Sequence, residues 1–156
     1  MTTNPNGRTM KAIAFSKHGK PTQLKKMDVP YPHGFDASNN VVIKVHASSV
    51  NPVDKALLSG DLKMLVPVAS FPHVISYDVS GIVEEADANG KFSVGQSVFA
   101  RLFGDADDGK KTPWFRGAMA EYCVAHSSNV VVKPDNLTFA EAASIPLVGM
   151  TALQVL

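Results

Sequence analysis

The chain has 156 residues, 45% hydrophobic and 19% charged, with a formal net charge of +1, a composition that suits one globular domain with its own core. So even a balance offers no basic face for nucleic acid or an anionic membrane surface, and no apolar run reaches the roughly 18 residues of a membrane-spanning helix. The single cysteine, Cys123, excludes an internal disulfide and a cysteine-based zinc cluster; with no secretory h-region in the first nine residues, a reducing, cytoplasmic location is expected.

Residues 1–9 are polar and read as a disordered arm. Met10–Phe15 and Leu24–Met27 are predicted strands flanking a turn at His18-Gly19-Lys20-Pro21. Val41–Ser48 alternates cleanly: Val41, Ile43, Val45 and Ala47 share one face, and Val42, Lys44, His46 and Ser48 share the other. That period predicts a half-buried antiparallel strand. A short helix follows from Asn51-Pro52 to just before Gly60, and then a proline-rich loop to Pro72.

Val74–Glu85 is a predicted strand in which Gly81 marks a bulge or a close backbone approach. Lys91–Arg101 returns as a strand after a turn at Ala88-Asn89-Gly90, and Gly104–Pro113 is a charged loop. Ala118–Val124 and Asn129–Lys133 are further strands, interrupted near His126-Ser127-Ser128. Thr138 with Glu141 forms a capping box that opens a helix. Many short strands with one early helix predict a mainly β barrel or sandwich. From Ala142 the segment AASIPLVGMTALQVL is apolar on nearly all sides and therefore needs burial on nearly all sides. Three covers remain open: this domain, another chain, or a larger architecture.

The strand-to-helix corner carries the main polar pair. Asn51 suits an N-cap, Pro52 the first helical position, Asp54 the positive end of the helix and Gly60 a left-handed C-cap. The residues alone leave open whether Asn51 and Asp54 are only a cap or one wall of an active site. Tyr77 reads first as a half-buried strand residue with its hydroxyl at the surface, and second as a substrate contact. The histidines His18, His33, His46, His73 and His126 have no paired spacing and read as loop or surface residues rather than ligands. Gly104–Lys111 fails as a phosphate loop, since position 111 is lysine and three aspartates would repel phosphate. Cys123 reads as a small buried hydrophobe, and Trp114-Phe115 as a loop anchor or a lid.

Five blocks in order resemble the medium-chain dehydrogenase/reductase superfamily. They are Asn51-Pro-Val-Asp54, Phe71-Pro-His-Val-Ile-Ser-Tyr-Asp-Val-Ser-Gly-Ile-Val83, Phe92-Ser-Val-Gly-Gln-Ser-Val98, Gly117-Ala-Met-Ala-Glu-Tyr122 and Ala142-Ala-Ser-Ile-Pro-Leu-Val-Gly-Met-Thr-Ala152. The branch they resemble is that of the zinc-independent quinone oxidoreductases and alkenal (enone) reductases. The resemblance implies a GroES-like partly open β-barrel, mainly β with a few short helices, over residues 10–140. Residues 141–156 would begin a linking helix toward a Rossmann domain that this sequence lacks, since no G-x-G spacing occurs in it.

It further implies NADPH as cofactor and a small conjugated carbonyl or quinone as substrate, with the chain supplying the substrate side and inactive alone. Zinc relatives carry cysteine where this chain has Asn51, and Gly-His-Glu where it has Ser76-Tyr77-Asp78, so no zinc and no other metal is expected. By the same resemblance Asn51, Asp54 and Tyr77 are the catalytic candidates, Asn51 offering an amide N–H to a developing oxyanion or contacting cofactor. Asn51 and Thr151 are the cofactor-binding candidates. Ala56 stands where relatives often carry an aromatic, and Ser76 where they carry glycine. The alternative is a non-enzymatic module that dimerises, or binds a full-length relative, through the apolar C-terminal segment.

Overall fold

The computed structural model describes residues 7–32, 37–65, 67–68, 71–102 and 117–156. The elements are strands β1 (Thr9–Phe15), β2 (Lys25–Pro30), β3 (Asn40–Ser49), β4 (His73–Val74), β5 (Asp78–Glu85), β6 (Ser97–Arg101), β7 (Tyr122–His126) and β8 (Val130–Val132), with helices α1 (Pro52–Ser59), α2 (Phe139–Ala143) and α3 (Pro146–Val155). They form a three-stranded sheet, β2-β1-β4, and a five-stranded sheet, β7-β3-β5-β6-β8. Every pairing is antiparallel. The result is the mainly β, half-open barrel that the strand pattern and the resemblance both predicted.

β3 is the central strand. Val41 and Ile43 point into the main core with Val79, Val83, Val98 and Cys123. Val42, on the opposite face, is also fully buried, packed with Met10, Ala12, Val29 and Val124 under the small sheet. The expected half-buried strand is therefore buried on both faces in its first half, because β1 and β2 fold over it. Its second half reverts to the predicted pattern, with Lys44 and His46 exposed.

Gly81 behaves as its sequence position suggested. The β3–β5 register shifts between Val45 and Ala47, opposite Gly81. A Cβ there would lie 2.1 Å from the carbonyl oxygen of Lys44. Only a glycine lets the two backbones approach this closely.

Several predicted elements differ in extent. The strand expected over Ala118–Val124 forms only as Tyr122–His126, and that expected over Leu24–Met27 runs from Lys25 to Pro30. The strand expected over Val74–Glu85 breaks at Ile75-Ser76-Tyr77, where Ser76 takes a φ of +75°. The strand expected over Lys91–Arg101 begins only at Ser97. Upstream of it the Asp87 carboxylate accepts the N–H groups of Lys91 and Phe92 at 3.2 and 3.0 Å, a local side-chain pairing that replaces the ladder. The C-terminal helix is two helices, broken before Pro146, whose missing N–H cannot continue the run. Residues 7–9 of the expected arm are described: Thr9 already opens β1, and Arg8 stacks 3.7 Å over the Tyr31 ring. Residues 1–6, His33, the loop Gly104–Pro113 and Trp114-Phe115 lie outside the described residues.

The capping box that opens α2 is complete. Glu141 N–H donates to Thr138 Oγ1 at 3.2 Å, and Thr138 N–H donates to Glu141 Oε2 at 2.8 Å. Thr138→Ala should lower stability by about 1 kcal/mol in urea unfolding; an unchanged midpoint would show that packing of Ala142 and Ala143 alone holds this helix.

Candidate functional site

Local rules build the corner at β3–α1. Pro52 starts the helix, and Gly60 ends it in the left-handed region with φ +85°. Asp54 turns its carboxylate back to accept the backbone N–H of Asn51 at 2.7 Å. Its other oxygen accepts the backbone N–H of Ser76 at 3.1 Å. This long-range bond holds Ser76 at a backbone angle that favours glycine, at the position where the resemblance expects glycine. Ser76 Oγ steadies the turn by donating to the Ser49 carbonyl at 2.7 Å. Asp54 is thus fully buried, and burial raises its carboxyl above the ordinary value against the opposing pull of its two N–H donors, with nearby Asp78 adding to the rise.

Asn51 is the N-cap of α1, as expected, and shares a capping box with Asp54. Its side chain lies over the Asp54 N–H without a well-formed cap bond, and that N–H also donates to the Asn51 backbone carbonyl at 3.0 Å. The side-chain Nδ2 donates to Asp78 Oδ2 at 2.9 Å and approaches Ser49 Oγ at 3.5 Å. An ionised carboxylate accepts only, so the amide must present its nitrogen to Asp78 and turn its oxygen away. Asn51 is only 7% exposed. The N–H groups that the oxyanion role would use face Asp78 and Ser49 within the protein, and the other end of the amide faces the first turn of α1.

Asp78 is the member of the site that residue-by-residue reading passed over. It is fully buried at the start of β5. Oδ2 takes the Asn51 amide and the Ser49 hydroxyl, the latter at 3.1 Å. Oδ1 takes the backbone N–H of Leu147, in the first turn of α3, at 3.1 Å. Burial raises its carboxyl, opposed by these three donors and by Arg101 across the β5–β6 pair. One signal for it existed: Asp78 occupies the acidic position of the Gly-His-Glu triplet of the zinc relatives.

The remaining candidates separate. Thr151 sits exposed on α3, one turn beyond Leu147, and its hydroxyl donates back to the Leu147 carbonyl at 2.8 Å. Tyr77 is only 5% exposed and packs in the main core, with its oxygen 2.9 Å from His73 Nε2. His73 is itself buried, contrary to the expected surface placement, and burial lowers its imidazole to about 4. At neutral pH it is an uncharged core residue. Cys123 is fully buried, and burial raises its thiol far above the ordinary range.

No group of three His, Cys, Asp or Glu among the described residues is arranged to hold a metal ion. No described helix is long and apolar enough to cross a membrane. An open groove of about 400 Å³ lies elsewhere, between β1, the second half of β3 and residues 118–121. It marks where the two sheets diverge and includes none of Asn51, Asp54 and Asp78.

Residues 37–135 match the profile of the alcohol dehydrogenase GroES-like domain. The chain is 34% identical to the mitochondrial NAD(P)H oxidoreductase RTN4IP1 of Homo sapiens, over 97% of this chain and 39% of that protein. It is 32% identical to a chloroplastic quinone-oxidoreductase homologue of Spinacia oleracea, over 96% of this chain and 42% of that one. Among solved structures, the quinone oxidoreductase of Coxiella burnetii aligns with a TM-score of 0.75 at 34% identity, over 94% of this chain and 44% of that one. A mycobacterial protein solved with NADPH aligns at 0.74 and 33%, over 94% of this chain and 39% of its own. The chain therefore spans about two fifths of the length of these relatives and belongs to the alcohol dehydrogenase GroES-like family, within the medium-chain dehydrogenase/reductase superfamily of quinone and NAD(P)H oxidoreductases.

Proposed function

We propose that this chain is the substrate-side domain of a zinc-free, NADPH-dependent reductase of quinones or other small conjugated carbonyls. The observation that carries the reading is the buried Asn51–Asp78 pair, which fixes the amide of the corner and joins it to the first turn of α3. The relatives' names supply the reaction class. NADPH, when bound, would supply the hydride, and its pyrophosphate would need a glycine-rich turn that this sequence does not contain. The residues present fit the nicotinamide end only, through the Asn51 side chain and the exposed Thr151 side chain.

The chain's own part is positional. Asp54 and Ser76 make the corner rigid, Asp78 fixes the orientation of the Asn51 amide, and the buried core behind them keeps water away. Both carboxylates of the corner act within the fold, since each oxygen of Asp54 and Asp78 accepts a hydrogen bond from the protein. Zinc-independence rests on the donor set, because an amide and two engaged carboxylates make a poor tetrahedral N/S site.

A second reading draws on α3, whose apolar side chains Val148, Leu153 and Val155 are 53%, 73% and 82% exposed. That helix would support self-association or docking on a longer relative. Titration of the ¹⁵N-labelled chain with a small quinone, followed at the Asn51 side-chain amide, separates the readings. Under the reductase reading the resonance shifts saturably and elemental analysis finds no stoichiometric zinc. Concentration-dependent association with no shift at Asn51 supports the second reading, and one zinc per chain overturns the branch assignment. The relatives' names place them in mitochondria and chloroplasts, so the cytoplasmic expectation gains no support from them.

A further inference from the structure

We infer that Asp78 is a positioning residue that ties the Asn51 corner to the first turn of α3, so that the two sides of the proposed cleft hold their spacing through one carboxylate. The functional role rests on the reading above; the tie itself does not.

The geometry carries it in three steps. First, α3 starts without a cap of its own: Ile145 makes no side-chain cap bond, and Pro146 has no N–H. Leu147 supplies the first N–H of the helix, and it finds its acceptor on another element, Asp78 Oδ1 of β5. Second, the opposite oxygen of the same carboxylate orients Asn51 and takes Ser49 as well. Third, Asp78 is fully buried, so water does not substitute for a lost partner.

α3 carries Thr151 one turn further on, and Thr151 returns its hydroxyl to Leu147. Moving Leu147 off Asp78 therefore moves Thr151 relative to Asn51. The charged groups that face Asp78 are Asp54 on α1, which opposes its ionisation, and Arg101 on β6, which favours it. α3 contributes no titratable side chain. Protonating Asp78 removes an acceptor lone pair from one of the two sides, so acid loosens the tie.

The test follows the Leu147 backbone amide and the Asn51 side-chain amide of the ¹⁵N-labelled chain between about pH 3 and pH 8, with the Ser76 amide as the separate reporter of Asp54. Leu147 and Asn51 should shift with one shared midpoint above the ordinary carboxylate value of about 3.9. Ser49→Ala, which deletes one donor from the ionised form on β3, should raise the midpoint read at Leu147 on α3. Asp78→Asn should abolish both titrations and speed Leu147 amide exchange roughly tenfold or more, while Ser76 stays protected. Two separate midpoints, a Leu147 midpoint unmoved by Ser49→Ala, or unchanged Leu147 exchange in Asp78→Asn would each overturn the inference. No cofactor enters these measurements, so they succeed or fail independently of the reductase reading.

Discussion

Asp54→Ala should cost roughly 3–5 kcal/mol of stability in denaturant unfolding, because it strands two buried backbone N–H groups at once. One belongs to Asn51, at the start of α1, and the other to Ser76, at the break between β4 and β5. Ser76 also loses the bond that holds it at positive φ, so the turn is expected to relax and disturb Asp78 two residues on. Asp54→Asn keeps one accepting oxygen and sets its NH2 against the other N–H; about half the loss is expected.

The pH dependence has a definite sign. Burial raises both Asp54 and Asp78 above their unfolded values. The native state therefore holds more protons than the unfolded chain between the unfolded value, about 3.9, and the raised folded ones. Stability linked to these groups falls as pH rises through that window. Asp54→Asn should flatten this slope. A slope of the opposite sign in wild type would mean that the N–H donors outweigh burial.

Gly81→Ala is the second large effect, about 3 kcal/mol or more. The added methyl would sit 2.1 Å from the Lys44 carbonyl oxygen and 2.9 Å from Ile43 Cγ2. The nearer atom is backbone in the central strand, so relief requires β3 and β5 to part rather than a side chain to swing. The β3–β5 pair also sets Ser49 opposite Asp78, so the variant should weaken the Ser49–Asp78 bond along with the fold. Equilibrium unfolding with the same two-state slope and a much lower midpoint is the expected result; a midpoint within about 0.5 kcal/mol of wild type would show that the bulge at His46 absorbs the methyl.

What was legible beforehand was local. Pro52, Asp54 and Gly60 announced α1 because proline, a first-turn acid and a terminal glycine act within a few residues. Thr138 and Glu141 announced α2 for the same reason. The alternation in β3 gave its direction of burial, but not the burial of Val42, which depends on β1 and β2 folding over it. The break at Ser76 carries no glycine to mark its positive φ; it is held by Asp54, 22 residues earlier in the chain.

Asp78 was hidden for a similar reason. Its partners Ser49, Asn51 and Leu147 lie 29, 27 and 69 residues away, and no spacing rule links them. Asn51 was found, but its orientation was not, since that depends on Asp78. Tyr77 was singled out by its place in a motif, while the structure sets its oxygen against His73 in the core.

Turnover is the most direct test of the corner's proposed purpose. Residues 1–156 would be joined in frame to the remainder of the Coxiella burnetii quinone oxidoreductase, and NADPH oxidation with a quinone acceptor measured before and after Asn51→Ala. The prediction is turnover by the joined protein and a fall in kcat/KM of roughly tenfold or more on Asn51→Ala, with the fold unchanged by circular dichroism. Equal kcat/KM in the two proteins would contradict it.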